Sequence, residues 1–314
     1  MENVCAVVVT YNRCQLLKEC LESLLNQSYS LSKIYVVNNN STDQTKEMLD
    51  DLSQKEPAIV PIHLDENIGG AGGFYIGIKE ALESQSDWIW IMDDDAEPDH
   101  KCLENLIQSI KDINAEVGFV APVIINKHTN NIQNYHHKKV NKTLTKDRAI
   151  DLETINNNKY IEVNANAFVG PLISTKAVKK VGLPRKDFFI WLDDTEYTYR
   201  ISRVMKSYLI SDAVIYHKDS PTNGIDPKSF WKVCYGFRNR ILWVNSSLKG
   251  LNKIASYTSL MGQYIKLLIS ILLRYKWKNN RYVCMKYLTL ALLKGIKNTG
   301  GIFVTPQEYL CQIK

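Results

Sequence analysis

Four short apolar runs, at residues 4–9, 34–37, 59–64 and 88–92, alternate with segments whose apolar residues fall at helical spacing. The first run (Val4, Cys5, Ala6, Val7, Val8, Val9) contains no polar side chain. Such a run fits a strand covered on both faces, the usual condition of a parallel sheet. After it, Leu16, Leu17, Cys20, Leu21, Leu24 and Leu25 mark a helix over residues 15–25. A second helix carries Met48 and Leu49, with Ser41 or Thr42 as its cap, because a side-chain oxygen there accepts from an unpaired backbone N–H. Residues 73–82 and 102–113 supply two more helices. Repeated βα units predict an α/β fold, a mostly parallel Rossmann-like sheet flanked by helices. Ligands in such sheets bind beyond the carboxyl ends of the strands. Thr10, Tyr11, Asn12, Asn38, Asn39, Asn40, Asn67 and the triplet Asp93, Asp94, Asp95 all stand just past those ends, so they are expected to converge on one crevice.

Charge divides the chain. The 314 residues carry a net +6, yet residues 227–314 hold 15 Lys/Arg against one acid, Glu308. The remainder therefore holds 24 basic against 32 acidic groups. An acidic, site-bearing body over residues 1–240 and a basic helical extension over 241–314 are expected. Seven cysteines without a C-x-x-C pair suit reduced thiols in the cytosol better than a disulfide framework. No secretory leader is expected, because the first residues enter a strand pattern directly. The longest apolar run of the tail, residues 267–273, falls short of the ~20 residues that a spanning helix needs. Leu267, Leu268, Ile271 and Leu272 are expected to form one helical stripe beside Arg274, Lys276, Lys278, Tyr275 and Trp277. That mixture suits contact with an anionic membrane surface or packing in an oligomer. No nucleic-acid motif accompanies it.

Three adjacent aspartates repel one another, so a fold keeps them at a strand end where a cation offsets them. Hard divalent ions take oxygen ligands and leave positions open for phosphates. The alternative is a solvated acidic turn at the start of the helix near Glu104. The segment Gly69, Gly70, Ala71, Gly72, Gly73 does not give the dinucleotide-binding spacing, since Ala71 and Tyr75 fall on required glycines. It is read as backbone passing close to a ligand and opening a helix, with a packing turn as the alternative. Residues 126–158 are rich in Asn, Lys, Thr and His and read as a polar excursion, in which His136 and His137 are bystanders. Structure resumes over residues 167–173. A helix starts near Asp194 and continues past Arg200, and a last strand region covers residues 208–215. Residues 218–224 read as a flap.

The ordered motifs from Val8 to Arg13, from Val37 to Asp43, from Asn67 to Gly73, the aspartate triplet, and the run from Phe189 to Tyr197 with Arg200 together resemble family 2 glycosyltransferases of the GT-A fold. They are most similar to the bacterial galactofuranosyl- and rhamnosyltransferase branch, over residues 3–240. The resemblance implies that Thr10, Tyr11 and Arg13 border a nucleotide and that Asn39 and Asn67 bond its base or ribose. It implies Asp93, Asp95 and His217 as ligands of Mn²⁺ or Mg²⁺, and Asp94 on the ribose or donor sugar. Asp194 would be the general base, with Glu196 as its substitute, and Trp191 and Asp193 would hold the acceptor. Many relatives carry an aspartate where this chain has Asn38 or Asn39. The implied activity is inverting transfer of a hexosyl unit, galactofuranosyl first and rhamnosyl second, from a UDP- or dTDP-sugar. The acceptor would be a glycan, in a lipid-linked form, at the cytoplasmic face of a bacterial membrane, as in O-antigen or capsule synthesis. A nucleotidyltransferase and a non-catalytic glycan- or membrane-binding scaffold are the competing readings.

Overall fold

The computed structural model describes residues 2–113, 115–219 and 225–313. They divide into two compact units. The first comprises residues 1–139, 148–185 and 194–219, and the second residues 140–147, 186–193 and 220–314. Each is taken by itself.

The first unit opens with the expected alternation: β1 (Val4–Thr10), α1 (Cys14–Leu25), β2 (Lys33–Asn38), α2 (Thr45–Lys55), β3 (Ile59–His63), α3 (Gly69–Glu83) and β4 (Trp88–Asp93). Then come β5 (Ala96–Pro98), α4 (Cys102–Asp112), β6 (Val117–Asn126), β7 (His137–Val140), β8 (Asp147–Ala149), α5 (Leu152–Asn157), β9 (Tyr160–Glu162), β10 (Ala165–Asn166), β11 (Val169–Ser174), α6 (Thr175–Val181), α7 (Asp193–Ser202) and β12 (Lys206–His217). The main sheet runs β3-β2-β1-β4-β11-β6-β12-β5, with β9 pairing β12. Neighbours from β3 to β4 are parallel, as are β6 and β12. β11 runs antiparallel to both β4 and β6. β1 is buried at every position, which accounts for its unbroken apolar sequence. Alternate side chains of β1 and β4 enter two separate cores, Val8 and Trp90 in one, Val7 and Ile91 in the other.

Two local expectations change. The cap of α2 is neither Ser41 nor Thr42: the Asp43 carboxylate accepts from the Thr45 N–H, and α2 starts later than expected. Asp43 also accepts from the Cys14 N–H, so one carboxylate ties the starts of α1 and α2. The glycine segment is the first turns of α3 itself, laid against β1. A Cβ at Gly77 would meet Val7 Cγ1 at 2.3 Å, and one at Gly73 would meet Val9 Cγ1 at 2.6 Å. Packing against β1 therefore requires those two glycines.

The second unit holds the basic helices α8 (Phe230–Ser247), α9 (Gly250–Leu273), α10 (Arg281–Ile296) and α11 (Pro306–Leu310). α8 runs through residue 240, where the body was expected to end. No described helix is long and apolar enough to cross a membrane. The expected stripe of 267, 268, 271 and 272 divides, because Ile271 is buried while Leu272 is half exposed.

Replacing Gly77 by Ala should lower stability by about 1–3 kcal/mol through overpacking, despite a gain in helix propensity. Gly70→Ala, with nothing within 4 Å of the new methyl, should leave stability unchanged or slightly raised. Urea unfolding of both variants checks this, and a Gly77→Ala midpoint at or above the parent would refute the packing account.

Candidate active site

The aspartate triplet lies where β4 ends and β5 begins. β5 is only three residues long, but it pairs antiparallel with β12, and the register sets His217 opposite Ala96. A backbone bond from the Lys218 N–H to the Asp95 carbonyl (3.0 Å) fixes the crossing. His217 Nε2 consequently sits 3.1 Å from Asp95 Oδ1. Two ligands at right angles on an ion with ~2.1 Å bonds stand about 3 Å apart. That spacing suits both a shared ion and a direct hydrogen bond.

The other ring nitrogen decides the tautomer. Gln133 Nε2 donates to Asp219 Oδ1 at 2.6 Å, which turns Gln133 Oε1 toward His217 Nδ1 at 3.0 Å. Asp219 Oδ1 is also 3.3 Å from Nδ1. Nδ1 faces only acceptors on this side and so carries the proton. Nε2 in turn faces a carboxylate oxygen, a contact that either a shared cation or a ring proton bridges. The donor set therefore fits a hard-to-borderline divalent ion such as Mn²⁺ or Mg²⁺.

Arg13 spans the neighbouring oxygens, with one guanidinium nitrogen 3.1 Å from Asp94 Oδ1 and 2.9 Å from Asp95 Oδ2. Thr10 Oγ1 donates to Asp94 Oδ2 at 2.7 Å. Burial nevertheless dominates at Asp94 and pushes its carboxyl up to about 6, against the pull of Arg13 and Thr10. Burial also opposes charge on Asp95, but the His217 hydrogen bond, His217 itself and Arg13 outweigh it and hold the group below the ordinary carboxylate range. Asp93 occupies the last position of β4, in register with Val9 of β1. Lys218 is committed elsewhere, pairing with Glu97 at 2.8 Å and with Glu19.

The asparagines behave as loop braces with one face left over. Asn39 Oδ1 accepts from the Ile68 N–H and Asn67 Oδ1 from the Gly69 N–H, both at 2.9 Å. Neither Nδ2 has a partner among the described residues. Tyr11 is half buried, and its neighbour Asn12, at φ +54°, accepts from the Thr42 N–H.

His136 is not the bystander that the polar excursion implied. Its ring stands edge-on to His217 at 5.3 Å. Ligand atoms of His136, His217 and Asp219 lie within 4.8 Å of one another. Its Nε2 is sealed from solvent with no partner among the described residues. Burial, then the neighbouring His217 and His137, hold His136 well below the usual histidine range, so it stays a neutral donor. Residues 220–224, most of the expected flap, lie outside the described residues.

At the start of α7, Asp194 Oδ1 accepts from the Thr195 N–H and, at 2.9 Å, from the Thr195 hydroxyl. Oδ2 has no partner among the described residues. Glu196 cannot substitute for it: both its oxygens are held by Arg200 at 3.0 Å, deep in the unit. Arg200 in turn donates to the carbonyls of Val181 and Leu183. The ion pair is structural.

In the second unit, Phe189, Trp191 and Leu192 all have left-handed backbones, at φ +64°, +65° and +75°. Each such residue costs on the order of 1–3 kcal/mol. Two buried residues of α8 that sequence reasoning passed over hold this loop. Asn239 Nδ2 donates to the carbonyls of Phe188, Ile190 and Trp191 at 3.0, 3.0 and 2.7 Å. Arg238 donates to those of Asp187 and Phe188 and to Gly301. The Trp191 ring, 46% exposed, lies over Gly236, where a Cβ would come within 3.0 Å of it. Asp193, the other expected acceptor residue, is buried. The one available hint was the adjacent Arg and Asn on an otherwise apolar helix face.

Residues 5–182 match the model of glycosyl transferase family 2. The chain belongs to that family. Galactofuranosyltransferase GlfT1 of Mycolicibacterium smegmatis is 29% identical over 204 residues, which are 64% of this chain and 66% of the relative. A GalNAc(5)-diNAcBac-PP-undecaprenol beta-1,3-glucosyltransferase of Campylobacter jejuni is 24% identical over 270 residues, 85% of this chain and 82% of the relative. The crystal structure of GalNAc-T7 with UDP, GalNAc and Mn²⁺ superposes with a TM-score of 0.64 at 15% identity, over 92% of this chain and 55% of that one. The fold is GT-A, as the family motifs implied.

Asn239→Ala should cost about 1–3 kcal/mol, because the Ile190 and Trp191 carbonyls lose the Asn239 donor while Phe188 keeps Arg238. Hydrogen exchange should then accelerate selectively over residues 187–192. Exchange unchanged there in a folded variant would remove Asn239 as the brace.

Proposed function

We propose that this protein is an inverting, metal-dependent glycosyltransferase that moves a hexosyl unit from a nucleotide sugar to a glycan acceptor. The observation that carries the reading is His217: both ring nitrogens face oxygen acceptors, beside a carboxylate cluster that Arg13 offsets only in part. The carboxylates of this cluster outnumber Arg13, the guanidinium that bridges two of them. A divalent cation would balance them, held by Asp95 and His217 with Asp93. When bound, such an ion offsets negative charge on the departing nucleoside diphosphate.

The chain's own groups would do the rest. Asn39 and Asn67 offer their free Nδ2 donors to base or ribose, Tyr11 borders it, and Asp94 orients the ribose or sugar while Thr10 and Arg13 hold that carboxylate in place. Asp194 Oδ2 takes the proton from the attacking hydroxyl as it approaches the anomeric carbon opposite the leaving group. Trp191 gives the acceptor a face to stack on, and Asp193 supports it. Galactofuranose is the first donor sugar, in line with the GlfT1 similarity, and rhamnose the second. The undecaprenol-linked substrate in the name of the Campylobacter relative favours a lipid-linked acceptor, at the cytoplasmic face of a bacterial membrane and met through the basic second unit.

Incubation with UDP-galactofuranose and Mn²⁺ should release UDP, whereas pyrophosphate release from a nucleoside triphosphate would make the protein a nucleotidyltransferase. Asp194→Asn should slow transfer roughly 10²–10⁴-fold and leave UDP binding intact. Equal turnover in that variant would end its role as base. Gln133→Leu should weaken Mn²⁺ binding about 10–100-fold by freeing the His217 ring. Calorimetric titration with Mn²⁺ reads this directly, and unchanged affinity would place the ion elsewhere.

A further inference from the structure

α9 turns an apolar face to water. Ser256, Leu260 and Ile271 point inward. Outward stand Leu251, Ile254, Met261, Ile265, Ile269 and Leu272, at 84, 64, 40, 50, 50 and 48% exposure. Their successive spacings of three, seven, four, four and three residues keep them on one side of a helix with 3.6 residues per turn. The other outward positions between them, Ala255, Thr258 and Gly262, add no charge. From Leu251 to Leu272 the stripe is about 32 Å long. An apolar helix face is ordinarily turned toward a packing partner, and nothing among the described residues covers this one.

The charge around it selects the partner. Between residues 227 and 307 there is no acidic side chain. Lys253 and Lys266 are on α9 itself, and Arg274, Lys276, Lys278 and Arg281 cluster just past its end. Tyr275 and Tyr282 in that cluster are 82% and 76% exposed. Tyrosines and lysines at the rim of an apolar helix are the side chains that suit the headgroup layer, where a ring is half wet and a long basic stem reaches the phosphates. A second copy of the chain would bring the same all-basic surface against this one and be repelled.

We propose that α9 lies in the plane of an anionic lipid bilayer, with its outward stripe sunk among the upper acyl segments and its basic neighbours on the lipid phosphates. The inference rests on the membrane setting proposed above and names the face that makes the contact. Stripe and charges act together: the first supplies apolar burial, the second selects anionic lipid.

The full chain should sediment with vesicles of phosphatidylglycerol and phosphatidylethanolamine, much less with phosphatidylcholine alone, and less as salt rises. Ile265→Glu with Ile269→Glu should lower the bound fraction about tenfold or more, at an unchanged thermal unfolding midpoint and unchanged UDP release from donor sugar. Ile269→Ser, a gentler change, should give an intermediate loss. Equal binding by the double variant would overturn the α9 assignment while leaving a membrane setting in place. Failure of the parent chain to bind anionic vesicles would overturn both, while UDP release tests the transferase reading separately. A parent dimer that the double variant splits in sedimentation velocity would make the stripe a self-interface, and would also overturn the proposal.

Discussion

Everything at the candidate site depends on one backbone crossing, the three-residue β5 laid antiparallel on the end of β12. Without it, Asp95 and His217 are 122 residues apart with no reason to meet. With it, a histidine ring is fixed against a buried carboxylate whose neighbours are also acids. Burying like charges side by side is costly, and an opposite charge a few ångströms away recovers about 4 kcal/mol at the effective dielectric of a protein surface. Arg13 supplies one such charge from the loop after β1, and it bridges two of the carboxylates instead of serving one. The loops after β1 and β4 are thereby tied together at the point where a parallel sheet offers its binding crevice.

Much of this is legible from residue patterns. β1 to β4 stand out because each is covered on both faces, so burial and sequence carry the same message. β5 does not, since Ala96, Glu97 and Pro98 hold no periodicity and the strand exists only because β12 reaches it. β6 has ten residues with nine buried, but the polar excursion that follows masks its apolar run. His136 misleads for a related reason. Its neighbours are Asn, Lys and Tyr, which imply solvent, whereas its environment is set by His217 and Asp219 from a strand far along the chain. Asp43, not Ser41 or Thr42, accepts from the first turn of α2, because its two carboxylate oxygens reach the Thr45 and Cys14 N–H groups at once.

Within one short motif, environment separates chemically similar acids. Asp194 and Glu196 are two residues apart on the first turn of α7. Glu196 points into the unit, where Arg200 takes both its oxygens. A buried ion pair of this kind, once formed, is hard to break, so that carboxylate has no freedom to accept a proton from a substrate. Asp194 is satisfied at one oxygen only. Composition cannot make this distinction. The helical period can, because positions two apart on a helix face different directions.

The loop of Phe189 to Leu192 presents the opposite case. Three left-handed residues would relax if left alone, and the chain does not use glycine to relieve them. Instead α8 carries Arg238 and Asn239, both fully buried; Asn239 donates to the Ile190 and Trp191 carbonyls of the loop, and Arg238 to those of Asp187 and Phe188 just before it and of Gly301. Burying a guanidinium is tolerable only when its N–H groups find acceptors, and here the backbone leading into the strained loop provides two of them. Each feature is therefore the condition for the other: the loop keeps its shape because the buried donors need its carbonyls, and the donors can be buried because the loop is bent to meet them. Glycine at Trp191 would remove the strain and with it the aromatic face over Gly236. The chain keeps the ring and accepts the strain.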